Sequence, residues 1–266
     1  MPTEGVSAPL PPDHENEPYP QQAEVSRHPV LQHKLALIRR EKGTSKDFRT
    51  LVREITFYLG YEATSDIITK TILLETDRLQ QFPAEKINES VAVVPILRGG
   101  LGMTEALLEL LPDSPVYHIG MYRNPGSNIP VQYYNRLPKG HPADVAFVLD
   151  PVIASSRTIT AVVSIVKKWG ARKIKVVTIV ASRCGLESLC KAHPDVQVHL
   201  ASVDNLAEVW VLDRELAQVD FGDLSTWDDS TSRCCRVFRA INSPPWQQPS
   251  SMTSEAEQRW VFHCIW

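Results

Sequence analysis

Asp150 closes an apolar run, Val145-Ala146-Phe147-Val148-Leu149, and opens a segment reading Pro151-Val152-Ile153-Ala154-Ser155-Ser156-Arg157-Thr158. A carboxylate in that place can accept hydrogen bonds from sugar hydroxyls. The hydroxyls of Ser155, Ser156 and Thr158 fall where a helical pattern begins. There they can cap the helix or, with free backbone N–H groups, hold a phosphate. A second set of chemically able residues lies upstream, where Val91–Leu97 gives way to Arg98 and then Gly99, Gly100 and Gly102. Glycine lacks Cβ, so the backbone there can turn sharply and approach a ligand closely. Each loop alone also reads as an ordinary strand-to-helix turn with a surface arginine or a serine cap. Together, one offering arginine and the other acid plus hydroxyls, they favour a sugar-phosphate ligand.

The elements that must carry these loops are legible around them. Both apolar runs are valine-rich and free of charge, as in strands buried on both faces of a parallel sheet. Leu101, Met103, Ala106, Leu107 and Leu110 recur at helical spacing after the glycines, and the segment after Thr158 does so up to Trp169, where Gly170 ends it. KIKVVTIVAS, GLESLCKAH and VQVHLASVD continue as strand, helix and strand. Such alternation requires a parallel sheet with right-handed crossovers, and ligands of such sheets bind at the carboxyl ends of the strands. Nearer the start, Leu31, Leu35 and Ile38 mark one helix face. Thr44 or Ser45 caps a longer helix bearing Phe48, Leu51, Val52, Ile55, Leu59 and Ala63. A short strand is expected near Ile72-Leu73-Leu74. Residues 116–137 read as an extended arm with turn chemistry at NPGSN, and His118 within it reads as a packed residue rather than a base. The predicted fold is α/β: an open, mostly parallel sheet with N-terminal helices and a projecting β-hairpin arm.

At these residues the chain resembles a known family. PILRGGLGM, HIGMYRNP, VQYYNRLP and VLDPVIASSRT match the ordered motifs of uracil phosphoribosyltransferases, a group of type I phosphoribosyltransferases. The resemblance runs from about His28 to about Asp204. It implies the phosphoribosyltransferase type of sheet and a pyrimidine-salvage reaction. Ribose-5-phosphate passes from phosphoribosyl pyrophosphate to N1 of uracil, giving UMP and pyrophosphate. By the same resemblance Arg98 and Arg123 would hold the pyrophosphate, and Asp150 the ribose hydroxyls. The loop Pro151, Val152, Ile153, Ala154, Ser155, Ser156, Arg157 and Thr158 would cradle the 5′-phosphate. Mg²⁺ would ride on the pyrophosphate oxygens with few or no protein ligands. The hairpin arm implies a homodimer or higher homo-oligomer. The phosphate loop departs from the commoner family form Asp-Pro-Met-Leu-Ala-Thr-Gly-Gly-Ser: Ser156 and Arg157 replace both glycines, at a cost of order 1 kcal/mol if either needs positive φ.

Three regions follow: a proline-rich lead over 1–27 read as disordered, the phosphoribosyltransferase-like domain over 28–204, and an irregular tail over 205–266. The tail holds Trp210, Trp227, Trp246, Trp260 and Trp266, five of the six tryptophans. The family's glycine-rich uracil loop has no recognisable counterpart in it; Trp210-Val211-Leu212 and Phe221-Gly222-Asp223 are the nearest fragments. The uracil-binding residues are thus unassigned. The alternative to an active transferase is a catalytically impaired relative that binds phosphoribosyl pyrophosphate or UMP as a sensor or subunit. With 28 basic against 31 acidic residues, net charge −3, nothing points to nucleic acid or an anionic membrane as partner. Neither a signal peptide nor a run of ~18 apolar residues is evident, so the cytoplasm is the expected location. Five cysteines without a CxxC pair suit reduced thiols. A zinc site from Cys234, Cys235, His263 and Cys264 can be drawn, but adjacent ligands fit a tetrahedron poorly.

Overall fold

Hydrogen bonding joins the apolar runs side by side. The computed structural model describes residues 18–39, 44–75, 81–123 and 129–204. In chain order, β1 (Ala23–Val25), α1 (Pro29–Ile38), α2 (Ser45–Ala63), β2 (Thr69–Glu75) and β3 (Gln81–Ile87) come first. Then follow β4 (Val91–Leu97), α3 (Leu101–Leu110), β5 (Ile119–Arg123) and β6 (Pro130–Asn135). The chain continues through β7 (Val145–Leu149), β8 (Val152–Ile153), α4 (Arg157–Trp169), β9 (Lys173–Ser182), α5 (Arg183–Ala192) and β10 (Gln197–Asp204). The main sheet has the order β1-β10-β9-β7-β4-β5-β6, with β8 paired to β9 off that path. All its pairings are parallel except β5 with β6.

Side chains of the central strands alternate between two cores. Val93 and Phe147 join the cluster formed with α1, α2 and α3, whereas Val94 and Val148 join the one formed with α4 and α5. Helix α2 begins with a reciprocal cap: Thr44 Oγ1 accepts from the Asp47 N–H at 3.1 Å, and the Asp47 carboxylate accepts from the Thr44 N–H at 3.2 Å. At its other end the ammonium of Lys175, only 2 % exposed, donates to the Ala63 carbonyl at 2.6 Å and to the Asp66 carboxylate. Burial raises the Asp66 pKa, but the Lys175 ammonium outweighs it and holds the group below the usual carboxylate range. A buried lysine thus meets one of the helix's orphan carbonyls.

The structure departs from the sequence reading in two places and bears out the projecting arm. Ala23–Val25, expected in a disordered lead, form an edge strand because β10 offers an open ladder at Val198–Leu200. The strand expected near Ile72 pairs with β3 in a separate antiparallel ribbon; β3 escaped notice because its seven residues show no sustained alternation and are interrupted by Pro83. The arm is built from β5 and β6, and only Ile119 and Gly120 of β5 pair with β4, so the rest runs beyond the sheet. The NPGSN turn at 124–128, the lead over 1–17 and the tail over 205–266 with its tryptophans, its three cysteines and its uracil-loop fragments lie outside the described residues.

Candidate functional site

Two loops meet at the carboxyl edge of the sheet. Strand β4 ends at Leu97, the Leu97–Arg98 peptide bond is cis, and Arg98 is exposed at the head of the turn into α3. The Gly100 N–H donates to the Ile96 carbonyl at 2.9 Å, and the Leu101 N–H to the Arg98 carbonyl at 3.0 Å. Sharp turning through positive φ, expected of the glycines, is not what this loop uses: Gly100 has φ −63°, and the positive-φ glycines among the described residues are Gly140 and Gly170. What Gly100 supplies is space. A Cβ there would lie 2.5 Å from the Leu149 carbonyl oxygen and 2.7 Å from the Ile96 nitrogen. A Cβ on Gly99 would meet the Pro151 ring at 3.1 Å. The arginine loop is therefore nested directly on the end of β7, where Asp150 begins the second loop.

Asp150 is half-buried just past β7, its N–H donating to the Val177 carbonyl at 3.3 Å. The chain then steps across onto β9. The Pro151 carbonyl accepts from Ile179 and Val180, and β8 pairs with Val180 and Ala181. Pro151, Val152, Ile153 and Ala154 are all buried, so this half of the loop is scaffold. Ser155, Arg157 and Thr158 retain solvent access at the start of α4, where the first-turn N–H groups and the helix dipole present positive potential.

One expectation about this loop is corrected. Ser156 is the N-cap of α4, yet its hydroxyl makes no capping hydrogen bond, because the residue sits in the left-handed region at φ 55°, ψ −9°. A capping side chain needs an extended backbone to reach back to N2 or N3. Of the two residues that replace glycines of the commoner family form, Ser156 is thus at positive φ, whereas Arg157 is the first helical residue. Arg123 ends β5 with its backbone paired to Pro130; the placement of its guanidinium lies outside what the structure describes. His118 is half-buried just before β5, with its carbonyl accepting from Arg136.

Sequence reasoning missed the residues that brace the loop from below. The Ser182 hydroxyl, fully buried at the start of α5, donates to the Ala154 carbonyl at 2.5 Å. The same oxygen accepts from the Gly185 N–H at 2.9 Å. The signal for it was a serine closing a buried strand three residues before a glycine, which reads as an unremarkable helix start.

The family model for uracil phosphoribosyltransferase matches residues 25–209. The chain belongs to the uracil phosphoribosyltransferase family. A uracil phosphoribosyltransferase of Roseiflexus sp. (strain RS-1) is 42% identical over 184 residues, 69% of this chain and 88% of the relative. The enzyme of that name from Agathobacter rectalis is 41% identical over 181 residues, 68% and 87% of the two chains. Among solved structures, that of the AQ2163 protein from Aquifex aeolicus superposes with a TM-score of 0.65 at 28% identity, covering 69% of this chain and 88% of that one. Membership makes the sheet one of the phosphoribosyltransferase type and places both loops inside the matched residues.

Proposed function

We propose that this chain is a uracil phosphoribosyltransferase that makes UMP and pyrophosphate from uracil and phosphoribosyl pyrophosphate. The observation that carries the reading is the nesting of the glycine loop on the end of β7, which puts Arg98 and Asp150 on neighbouring strand ends. In this reading the N–H groups from Ser155 to Thr158 take the 5′-phosphate at the helix N-terminus. Asp150 accepts from the ribose hydroxyls and fixes the ring above the strand ends. Arg98, with Arg123 from the arm, holds the pyrophosphate. As the glycosidic oxygen departs, positive charge grows on the ring and negative charge on the leaving group. Fixed guanidinium charge at the leaving group stabilises that state without reorganisation. Positioning accounts for the rest, since no covalent nucleophile is needed.

A divalent cation fits this donor set. The two loops, residues 98–102 and 150–158, bring one carboxylate, Asp150, so a hard cation such as Mg²⁺ would be held chiefly by phosphate oxygens with Asp150 at hand. When bound, it neutralises charge on the leaving pyrophosphate.

No helix among the described residues is long and apolar enough to cross a membrane. We also read the enzyme as a homodimer or larger homo-oligomer. Tyr122, Tyr133 and Tyr134 on the arm and Tyr61 on α2 are exposed, as expected of surfaces that a second copy covers. The deciding assay for the activity is conversion of labelled uracil to UMP at saturating phosphoribosyl pyrophosphate with Mg²⁺. Turnover at rates ordinary for enzymes supports the reading; binding of phosphoribosyl pyrophosphate without turnover would instead mark a sensor.

A further inference from the structure

The phosphate loop is held at its centre by Ser182, the last residue of β9 and the N-cap of α5. Its first half follows β9 by backbone hydrogen bonds at Pro151 and through the β8 ladder. That ladder stops at Ile153. Between it and the first turn of α4 lie Ala154, Ser155 and Ser156, the last in the left-handed region with no capping bond from its own side chain.

The Ser182 hydroxyl, one residue past the Ile153–Ala181 pairing, reaches it from the end of β9. One oxygen performs two tasks: its lone pair accepts the Gly185 N–H and starts α5, and its proton goes to the Ala154 carbonyl. The fit leaves no slack. A Cβ on Gly185 would come within 2.4 Å of the Ala154 oxygen. Ser182 is completely buried, so water cannot replace the bond if the hydroxyl is removed.

We propose that Ser182 is a positioning residue for phosphoribosyl pyrophosphate, acting through the Ala154 carbonyl to hold the phosphate loop in its ligand-ready geometry. The inference rests on the reading of that loop as the 5′-phosphate cradle. The bond lies wholly within the protein, between Ser182 and the Ala154 backbone, so its role is to hold the loop ready in advance, and binding does not have to order it. Its loss shows in the affinity for the phosphate substrate rather than in the chemical step.

The test is calorimetry of phosphoribosyl pyrophosphate with Mg²⁺ on the wild type, Ser182→Ala and Ser182→Gly, together with steady-state kinetics and melting temperatures. Ser182→Gly removes the proton donor at a helix N-cap where glycine is well tolerated, so it keeps the measurement possible if the alanine variant fails to fold. The expected result is a dissociation constant and KM for phosphoribosyl pyrophosphate raised about tenfold. In those variants kcat at saturation and the KM for uracil should stay within about twofold of wild type. A lower melting temperature with unchanged affinity in the folded variants would make Ser182 merely structural and overturn the proposal. A wild type that does not bind phosphoribosyl pyrophosphate would overturn the reading of the loop itself, and the brace with it.

Discussion

Single side chains at the strand ends divide into those offered to a ligand and those that shape the backbone. Arg98 and Asp150 belong to the first kind. Phosphoribosyl pyrophosphate with Mg²⁺ should raise the melting temperature of the wild type, as any ligand selective for the native state does. Arg98→Ala and Asp150→Ala should each remove most of that rise while leaving the unliganded melting temperature nearly unchanged; an undiminished rise in both would refute their assignment. Ser156 belongs to the second kind. It holds φ 55° without a capping bond, and a left-handed conformation costs an L-residue about 1–2 kcal/mol. Ser156→Gly should therefore stabilise the fold by about 1 kcal/mol, read as a higher urea midpoint at unchanged slope. A lower midpoint would mean that the buried hydroxyl contributes more than the strain costs.

At the scale of elements, what matters is how closely one loop approaches another. Gly100 sits where a side chain would strike the Leu149 carbonyl and the Ile96 backbone, none of which is the flexible end of a side chain. Gly100→Ala should consequently destabilise by about 1–3 kcal/mol and weaken phosphoribosyl pyrophosphate binding at the same time. Circular dichroism melts and calorimetry would check both, and unchanged stability would show that the loops can part. The elements themselves were largely legible in the amino-acid order. Val91–Leu97, Val145–Leu149 and Lys173–Ser182 are uninterrupted buried strands, and the apolar stripe from Phe48 to Ala63 marks α2 to its last residue. What escaped is what exists only through pairing. Strand β8 is two residues long, β1 three, and β3 is exposed at nearly every position and interrupted by Pro83, so none carries a period of its own. The site was legible as residue types, Arg98 and Asp150 above all. Its support was not, because a serine donating across to Ala154 leaves no local pattern.

For the molecule as a whole, burial couples folding to protons. Burial holds the His199 imidazole below its ordinary value; the Lys175 ammonium lowers it too, while Glu24 and Asp66 act in the opposite direction. Its Nε2 is buried without a partner and its Nδ1 lies 3.3 Å from the Glu24 carboxylate. The unfolded chain therefore takes up the proton more readily. The stability that this group contributes is complete above about pH 6.5 and is lost as pH falls below it toward the depressed folded value. Urea midpoints between about pH 7.5 and 5 should decline in the wild type and decline less in His199→Leu; parallel slopes would remove His199 from the account. Exposed tyrosines on the arm and α2 bear on assembly. Light scattering should give at least a dimer mass at micromolar concentration, and a monomer throughout would count against that surface.

Strand β1 sets the order in which the polypeptide can be completed. Ala23, Glu24 and Val25 pair with Val198, His199 and Leu200, so one edge of the sheet joins segments far apart in the chain. On a ribosome the early segment emerges long before its partner exists. Until β10 leaves the exit tunnel, the apolar face of α1, with Leu31 and Leu35, has no finished sheet to settle on. Non-local pairing of this kind is slow, and its closure comes last. A nascent chain arrested before residue 198 would thus be the form most in need of a chaperone, and release of the tenth strand the moment at which that need ends.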